Sequence, residues 1–184
     1  DYAGTFLRIC VAPDNLASGS GGPAGRGATN PAPAAAAIPD RATWYAQPYK
    51  VFDNLYFIGT RIHSAWALTT SQGIIVIDTL YAYAIEPEIV DGLTRLGLNP
   101  RDVKYVLISH AHGDHDQGAA LLQTRYATRV VMGAADWDAT LQRPATAAGG
   151  VPKRDIVVGP EGLKITLGDI TVDVIATPGH TPGT

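Results

Sequence analysis

The sequence predicts a mixed-sheet α/β fold, a class that some schemes describe as α+β. Strand-like segments alternate with helical ones along most of the chain, which is typical of a sheet covered by helices. Hairpin-like pairs of strands stand at both ends of that alternation. The continuous β-branched run at residues 74–77 suits a central strand that is buried on both faces.

The individual elements follow from local periodicity and from turn residues. Strands are predicted at residues 55–60, 65–70, 74–77, 103–109 and 129–132, with a final hairpin at 163–167 and 170–176. Helices are predicted at 83–96, 117–126 and 134–141, with a Pro/Gly/Ala-rich loop at 144–154. The first helix carries one apolar stripe, at Ile85, Ile89, Leu93 and Leu96. Asp136, Trp137 and Asp138 are interpreted as a solvated edge around a packing tryptophan.

The composition of the chain argues against several classes of protein. The 184 residues carry a net charge of −3 and are 46% hydrophobic, which fits one folded domain and excludes wholesale disorder. The mild acidity argues against a nucleic-acid partner. No run approaches about 18 apolar residues, so no membrane span is predicted. The single cysteine, Cys10, excludes an internal disulfide and a Cys-rich zinc finger.

The chain divides into an arm and a domain. Residues 1–48 are predicted to form an N-terminal arm with a linker, because 19 of the 30 residues at 11–40 are Ala, Gly or Pro. An ordered loop on the surface is the alternative for that linker. Residues 49–184 are predicted to form the domain. No signal segment is visible, and neither end has the pattern of a finished domain.

Three of the five histidines lie in one short stretch, His110-Ala111-His112-Gly113-Asp114-His115. Such a pattern arises by chance in roughly 3 of 10,000 chains of this composition. In an extended segment His110 and His112 point to the same side, so both can reach one metal ion. A turn at Gly113 would send Asp114 and His115 toward a second ion. A solvated His-rich loop is the alternative.

A fourth histidine completes the pattern. His180 follows the predicted strand 170–176 and lies in a Pro/Gly-rich turn. Catalytic zinc typically has three protein ligands and a water molecule, so His180 is the natural third ligand beside His110 and His112. Taken alone, His180 would be interpreted as an exposed loop residue.

Three motifs together, Ile77-Asp78-Thr79, the 110–115 stretch and Gly179-His180-Thr181-Pro182-Gly183, resemble the metallo-β-lactamase superfamily. The resemblance implies a four-layer αββα sandwich, of which this chain covers the N-terminal part, and a site for two zinc ions. It implies His110, His112 and His180 as ligands of the first zinc, and Asp114 and His115 as ligands of the second. Asp78 is implied as support for the metal-binding loop, with a simple helix-capping role as the alternative.

The resemblance also implies a later half of the fold, which supplies the last ligand of the second metal. The chain stops four residues after His180, so we expect a C-terminally incomplete and therefore inactive sequence. His63 does not match the missing ligand. His63 and Trp66 are candidates for the substrate cleft, and a surface histidine beside a core tryptophan is the alternative.

The resulting hypothesis is a zinc-dependent hydrolase acting on a small molecule. Zinc lowers the pKa of bound water to about 7, and the hydroxide attacks a carbonyl. Asp114 would orient the nucleophile or relay a proton. The motifs look most like the third subclass of true β-lactamases, a form shared with glyoxalase II enzymes, lactonases and alkylsulfatases. A thioester or lactone hydrolase, a two-iron redox protein and a non-catalytic metal-binding fragment are the alternatives. The resemblance allows a periplasmic or secreted location, and the oligomeric state stays open.

Overall fold

A seven-stranded sheet in which the strands follow chain order organises the protein. The structure is a computed structural model, and it describes residues 37–184; most of the predicted arm lies outside these residues. The strands are β1 Tyr49–Lys50, β2 Leu55–Phe57, β3 Trp66–Thr70, β4 Gly73–Ile77, β5 Val103–Leu107, β6 Arg129–Gly133, β7 Ile156–Val158, β8 Leu163–Leu167 and β9 Ile170–Val174.

The sheet is mixed, as predicted. Strands β1 to β4 form antiparallel neighbours, whereas β4 to β7 form parallel neighbours. Parallel neighbours need crossover connections, and helical segments follow β4, β5 and β6. Strands β8 and β9 form a separate antiparallel hairpin with the predicted turn. The two short strands β1 and β7 were not predicted from the sequence.

The helical elements in the described part of the chain are short. They are α1 Arg41–Trp44, a π-helix Ile85–Val90, α2 Asp91–Arg95, a 3₁₀-helix Pro100–Asp102, α3 Gly113–Asp116, α4 Ala119–Tyr126 and α5 Ala134–Leu141. The single helix predicted at 83–96 is therefore wrong in detail. Pro87 lacks the amide hydrogen that a regular α-helix would use, and the chain forms a π-helix there before α2 begins. None of these helices has the length and apolarity that a bilayer crossing requires.

The larger apolar core lies between the helices and one face of the sheet. Its most deeply buried members come from both layers: Val76, Val106, Val130, Ile89, Leu93, Leu122 and Trp137. Trp44 of α1 belongs to the same core and is only 4% exposed. The domain therefore begins upstream of the predicted boundary at Tyr49, because α1 buries its tryptophan in the domain core.

The opposite face of the sheet packs against the β8–β9 hairpin. A second cluster joins Ile75, Leu107 and Val131 of the sheet to Ile165 and Leu167 of β8. Helices, large sheet and hairpin thus form successive layers in the described residues. This arrangement agrees with the predicted mixed α/β architecture of the sandwich type.

Strand pairing determines where polar side chains meet. Strands β4 and β5 are parallel, with Ile77 opposite Leu107, so the residues that follow both strands emerge at the same sheet edge. Asp78 follows β4 in a left-handed conformation, with φ at 61°. Ser109 and His110 follow β5. The sequence thus brings its main polar motifs together at one edge.

One buried carboxylate lies away from that edge, in the π-helix. Glu88 is fully buried, and its Oε1 accepts a hydrogen bond from the Ala46 amide at 2.9 Å. Its Oε2 has no hydrogen-bond partner within the described residues. Burial raises the pKa of Glu88 to about 7, against the opposing effects of the Ala46 bond and the Arg41 and Arg95 charges.

We predict that Glu88→Gln stabilises the protein at pH 8 but not at pH 5. The pKa of Glu88 is raised in the folded state, so the wild type loses stability as pH rises from about 4.5 to about 7. Glutamine keeps the acceptor for Ala46 without the charge, and the gain at pH 8 should be about 1–3 kcal/mol. Thermal denaturation at both pH values measures it.

Glu86→Gln is the matched control, because Glu86 lies in the same π-helix but is half-exposed and pairs with Arg125. Its effect should not grow between pH 5 and pH 8. Equal effects of Glu88→Gln at the two pH values would contradict the prediction.

Candidate metal centre

Three histidine side chains converge at the sheet edge. His110, His112 and His180 each offer one ring nitrogen, and the three nitrogens lie within 4.8 Å of one another. We call this group the three-histidine cluster. The ring centroids are 4.5–4.8 Å apart, and each pair of rings is nearly perpendicular. The structure therefore brings together the three residues that the sequence predicted for one site.

The donor set and its spacing fit a zinc ion. Tetrahedral zinc with bonds of about 2.0–2.1 Å holds its nitrogen ligands about 3.3 Å from one another. In the structure, His112 Nδ1 lies 3.1 Å from His180 Nε2. Burial lowers the pKa of His110, and the neighbouring imidazoles of His115, His180 and His112 lower it further. A neutral imidazole is the form that binds a metal.

Asp114 and His115 form a second pair beside the cluster. Both lie in α3, and His115 Nε2 is 3.2 Å from Asp114 Oδ2. The imidazole of His115 also lies next to that of His110, with 4.0 Å between ring centroids. This pair could hold a second ion close to the first. Within the described residues it offers one imidazole and one carboxylate.

The carboxylate of Asp78 is hydrogen-bonded to the segment that carries the three-histidine cluster and to His115 of the second pair. It accepts hydrogen bonds from the Ser109 amide at 2.8 Å, from Ser109 Oγ at 2.9 Å and from His115 Nδ1 at 2.8 Å. Asp78 thus makes direct contacts with the loop after β5, and its supporting role stays a prediction. The π-helix that follows Asp78 in the chain has Ala84 at its N-cap and no side-chain cap hydrogen bond, so the helix-capping alternative has no support in the geometry.

These hydrogen bonds fix which ring nitrogens carry protons. A carboxylate only accepts, so His115 Nδ1 donates to Asp78 and Nε2 faces Asp114. The Ser109 hydroxyl gives its single proton to Asp78 and therefore accepts from His110 Nδ1, at 3.1 Å. His110 Nε2 is then free to bind a metal. Hydrogen bonds to the outer nitrogen orient metal-binding histidines in this way.

The pKa of His115 moves in the opposite direction from that of His110. Burial lowers the pKa of His115, but the hydrogen bond to Asp78 and the charges of Asp78, Asp114 and Asp116 together raise it.

Ser109, which connects His110 to Asp78, was not singled out from the sequence. The sequence could have indicated it, because Ser109 is a hydroxyl residue placed between a buried strand and the histidine motif.

His63 and Trp66, the two predicted cleft residues, lie in different surroundings. His63 Nε2 is 3.7 Å from Asp114 Oδ2, and its ring meets the edge of Tyr81 at 5.2 Å. Trp66 lies in β3 and packs edge-to-face against Phe57 at 5.2 Å. The structure thus brings His63 to the candidate centre together with Tyr81, which the sequence did not suggest. The cleft role of Trp66 stays a prediction.

With this geometry established, comparison with known proteins identifies the family. The family model of the metallo-beta-lactamase superfamily matches residues 58–184. The chain belongs to this superfamily. The motifs quoted from the sequence all lie inside the matched range, so the predicted resemblance is confirmed.

Solved metallo-beta-lactamases share the fold. BJP-1, a subclass B3 metallo-beta-lactamase of Bradyrhizobium japonicum, superposes with a TM-score of 0.68 at 33% identity, over 75% of this chain and 54% of that one. LRA-12, a class B3 di-zinc metallo-beta-lactamase from an Alaskan soil metagenome, superposes with a TM-score of 0.70 over 77% and 56%; at 24% identity it supports the fold alone.

Curated sequence relatives come from other branches of the superfamily. A hydroxyacylglutathione hydrolase of Acidiphilium cryptum is 39% identical over 79 residues, which is 43% of this chain and 28% of the relative. An N-acyl homoserine lactonase of Agrobacterium fabrum is 34% identical over 106 residues, covering 51% and 38%. This metallo-beta-lactamase superfamily chain thus spans about half the length of the solved structures and less of these relatives.

We predict that Ser109→Ala weakens zinc binding by about 10-fold. Losing the hydrogen-bond partner of the non-coordinating nitrogen of a histidine ligand weakens metal affinity by about 10- to 100-fold, and we expect the lower end of that range. Alanine leaves His110 Nδ1 without its acceptor, so the ring is no longer held in one tautomer. Competition with a chromophoric chelator measures the zinc affinity. Ser71→Ala, in the exposed turn after β3, is the control. Equal affinities of the two variants would contradict the assigned hydrogen-bond chain.

Proposed function

We propose that this protein is a zinc-dependent hydrolase that attacks an acyl carbonyl of a small molecule. The observation that carries the proposal is the three-histidine cluster, with its ring nitrogens inside 4.8 Å. A zinc ion held there would lower the pKa of a water molecule to about 7 and polarise the carbonyl. Membership of a superfamily of metal-dependent hydrolases supports the same reaction class.

The residues around the cluster have separate tasks in this proposal. Asp114 and His115 are the ligands proposed for a second zinc ion. The side chain of Asp114 is partly exposed and faces His115 Nε2, so its carboxylate is in a position to orient the attacking water and accept its proton. Asp78 holds His115 by its outer nitrogen and holds His110 through Ser109, which selects the tautomer of each neutral imidazole that carries its proton on Nδ1 and leaves Nε2 for the metal.

The substrate class that we favour is a β-lactam. The subclass B3 enzyme BJP-1 supports this choice, at 33% identity across three quarters of this chain. The form His-x-His-x-Asp-His of the motif fits this class and the second candidate equally, because glyoxalase II enzymes and lactonases share it. The scissile bond would be the β-lactam amide.

The second candidate is a thioester or lactone hydrolase. The hydroxyacylglutathione hydrolase and the N-acyl homoserine lactonase support it, with local identities of 39% and 34%. The same zinc chemistry serves these substrates, because each presents an acyl carbonyl. The difference would lie in the groups that surround the centre, such as His63 and Tyr81, rather than in the ligands.

We predict that His112→Ala in the full-length protein removes most of the bound zinc and lowers turnover by at least about 100-fold, since losing a ligand has a larger effect than losing a hydrogen-bond partner of a ligand. Zinc content is measured by atomic emission after gel filtration, and folding by circular dichroism. Wild-type protein treated with a chelator should match the variant in turnover. A folded variant that retains wild-type zinc and turnover would overturn the assignment of His112.

We predict that the zinc-loaded full-length protein hydrolyses nitrocefin with a higher kcat/KM than an N-acyl homoserine lactone or a hydroxyacylglutathione thioester. The three substrates are compared at one pH, with His112→Ala as the background control. A preference for the lactone or the thioester would replace the β-lactam assignment with the second candidate. Bound zinc without turnover of any substrate would favour a metal-binding module.

A further inference from the structure

A second carboxylate is buried behind the metal centre, on the helical side. Asp136, in the first turn of α5, is only 1% exposed, so the interpretation of residues 136–138 as a solvated edge is wrong for this residue. Its Oδ2 accepts hydrogen bonds from the Ala111 amide at 2.9 Å and from Thr181 Oγ1 at 2.8 Å. Its Oδ1 accepts one from the Gly183 amide at 3.2 Å.

All three donors belong to the segments that carry the three-histidine cluster. Ala111 lies between His110 and His112, and Thr181 directly follows His180. These donors are 25, 45 and 47 residues away from Asp136 along the chain. One buried carboxylate thus connects two loops that are remote in sequence and that must meet for the cluster to form.

The carbonyl side of Ala111 is held as well. Arg143 donates from Nη2 to the Ala111 carbonyl at 2.7 Å, and from Nη1 to Asp116 at 2.9 Å. Asp116 is buried and also accepts from Thr140 Oγ1 at 3.2 Å. Both polar groups of Ala111 are therefore engaged by side chains near the two ends of α5. This restrains the backbone between His110 and His112 and with it the direction of their side chains.

The second loop can approach Asp136 closely because it has a glycine there. A Cβ atom on Gly183 would lie 2.6 Å from the Asp136 amide nitrogen and 2.7 Å from its Cγ. Any larger residue would push the Thr181–Gly183 turn, and His180 with it, away from the carboxylate. The loop that carries His180 is thus fitted to Asp136 by shape as well as by hydrogen bonds.

We propose that Asp136 is a positioning residue of the metal centre, whose carboxylate locks residues 110–112 and 180–183 in the arrangement in which the three-histidine cluster binds one metal ion. This inference rests on the proposed function in one respect, that the cluster holds zinc. The carboxylate of Asp136 is not itself one of the proposed metal ligands. It acts by holding His110, His112 and His180 at their mutual distances before the ion arrives, which raises affinity because less ordering remains to be done on binding.

The test compares Asp136→Asn with Asp138→Asn. Asp138 lies on the same helix, but its side chain is 64% exposed and pairs with Arg154. Asparagine cannot accept all three hydrogen bonds, since its amide nitrogen only donates. We expect Asp136→Asn to weaken zinc binding about 10- to 100-fold in chelator competition, as losses of outer hydrogen-bond partners do. Asp138→Asn should stay within about 2-fold of the wild type, as expected for an exposed pair.

Two further readouts separate positioning from general stability. The visible spectrum of the cobalt-loaded protein reports ligand geometry, and we expect it to change in Asp136→Asn. Thermal unfolding of the metal-free proteins reports stability alone. A variant with lower metal-free stability but wild-type zinc affinity and cobalt spectrum would overturn the proposal.

Thr181→Val provides the milder variant if Asp136→Asn does not fold, because it removes the hydroxyl donor to Asp136 and leaves the carboxylate in place. We expect a zinc affinity between those of the wild type and Asp136→Asn. Wild-type affinity in folded Thr181→Val would overturn the proposal. If the wild type binds no zinc, the proposed function fails and takes this inference with it; if it binds zinc and both variants bind equally well, this inference alone fails.

Discussion

Parallel pairing between β4 and β5 brings the two chain segments that build the metal centre to one edge of the sheet. The register places Ile77 opposite Leu107, so Asp78 and Ser109 emerge side by side. The hydrogen bonds between Asp78 and Ser109 depend on that alignment, and so does the path of the chain into the 110–115 stretch. A shift of one residue would send these side chains to the opposite face of the sheet.

Carboxylates surround the histidines on several sides, and each has its own set of partners. Asp78 accepts from the outer nitrogen of His115 and, through Ser109, from that of His110. Asp136 accepts from backbone and hydroxyl groups beside the cluster. Asp114 alone among the three faces the open side of the centre with a partly exposed side chain. Asp78 thus orients the imidazole rings, Asp136 holds the loops, and Asp114 is accessible from solvent. The three residues are of one type and differ in how deeply they are buried.

The sequence predicts the parts of the site whose members are close in the chain or follow a strand. His110, His112, Asp114 and His115 share six residues, and the extended geometry of that stretch was enough to group them. His180 could be added because it follows a predicted strand. Ser109, Asp136 and Arg143 escape such reasoning, because their partners include backbone groups or residues far along the chain.

The same limit applies to the fold. The buried strand β4 was predicted from its continuous β-branched run, and β5 and α5 were also predicted close to their observed positions. The π-helix at Ile85–Val90 was missed because the apolar stripe of 83–96 continues through Pro87 without a visible break. Trp44 was assigned to the arm because the strand-like and helix-like pattern of the sequence begins only near Tyr49. Its burial is determined by the tertiary structure.

The chain-order arrangement of β1 to β7 has a consequence for how the protein is made. Each new strand of the large sheet pairs with the one that has just left the ribosome, so the sheet can grow from its first edge without waiting for distant segments. His110 and His112 are then synthesised before β6, β7 and the helix α5 that carries Asp136. The third imidazole arrives only after β9, so metal capture by all three follows the pairing of the large sheet rather than nucleating it.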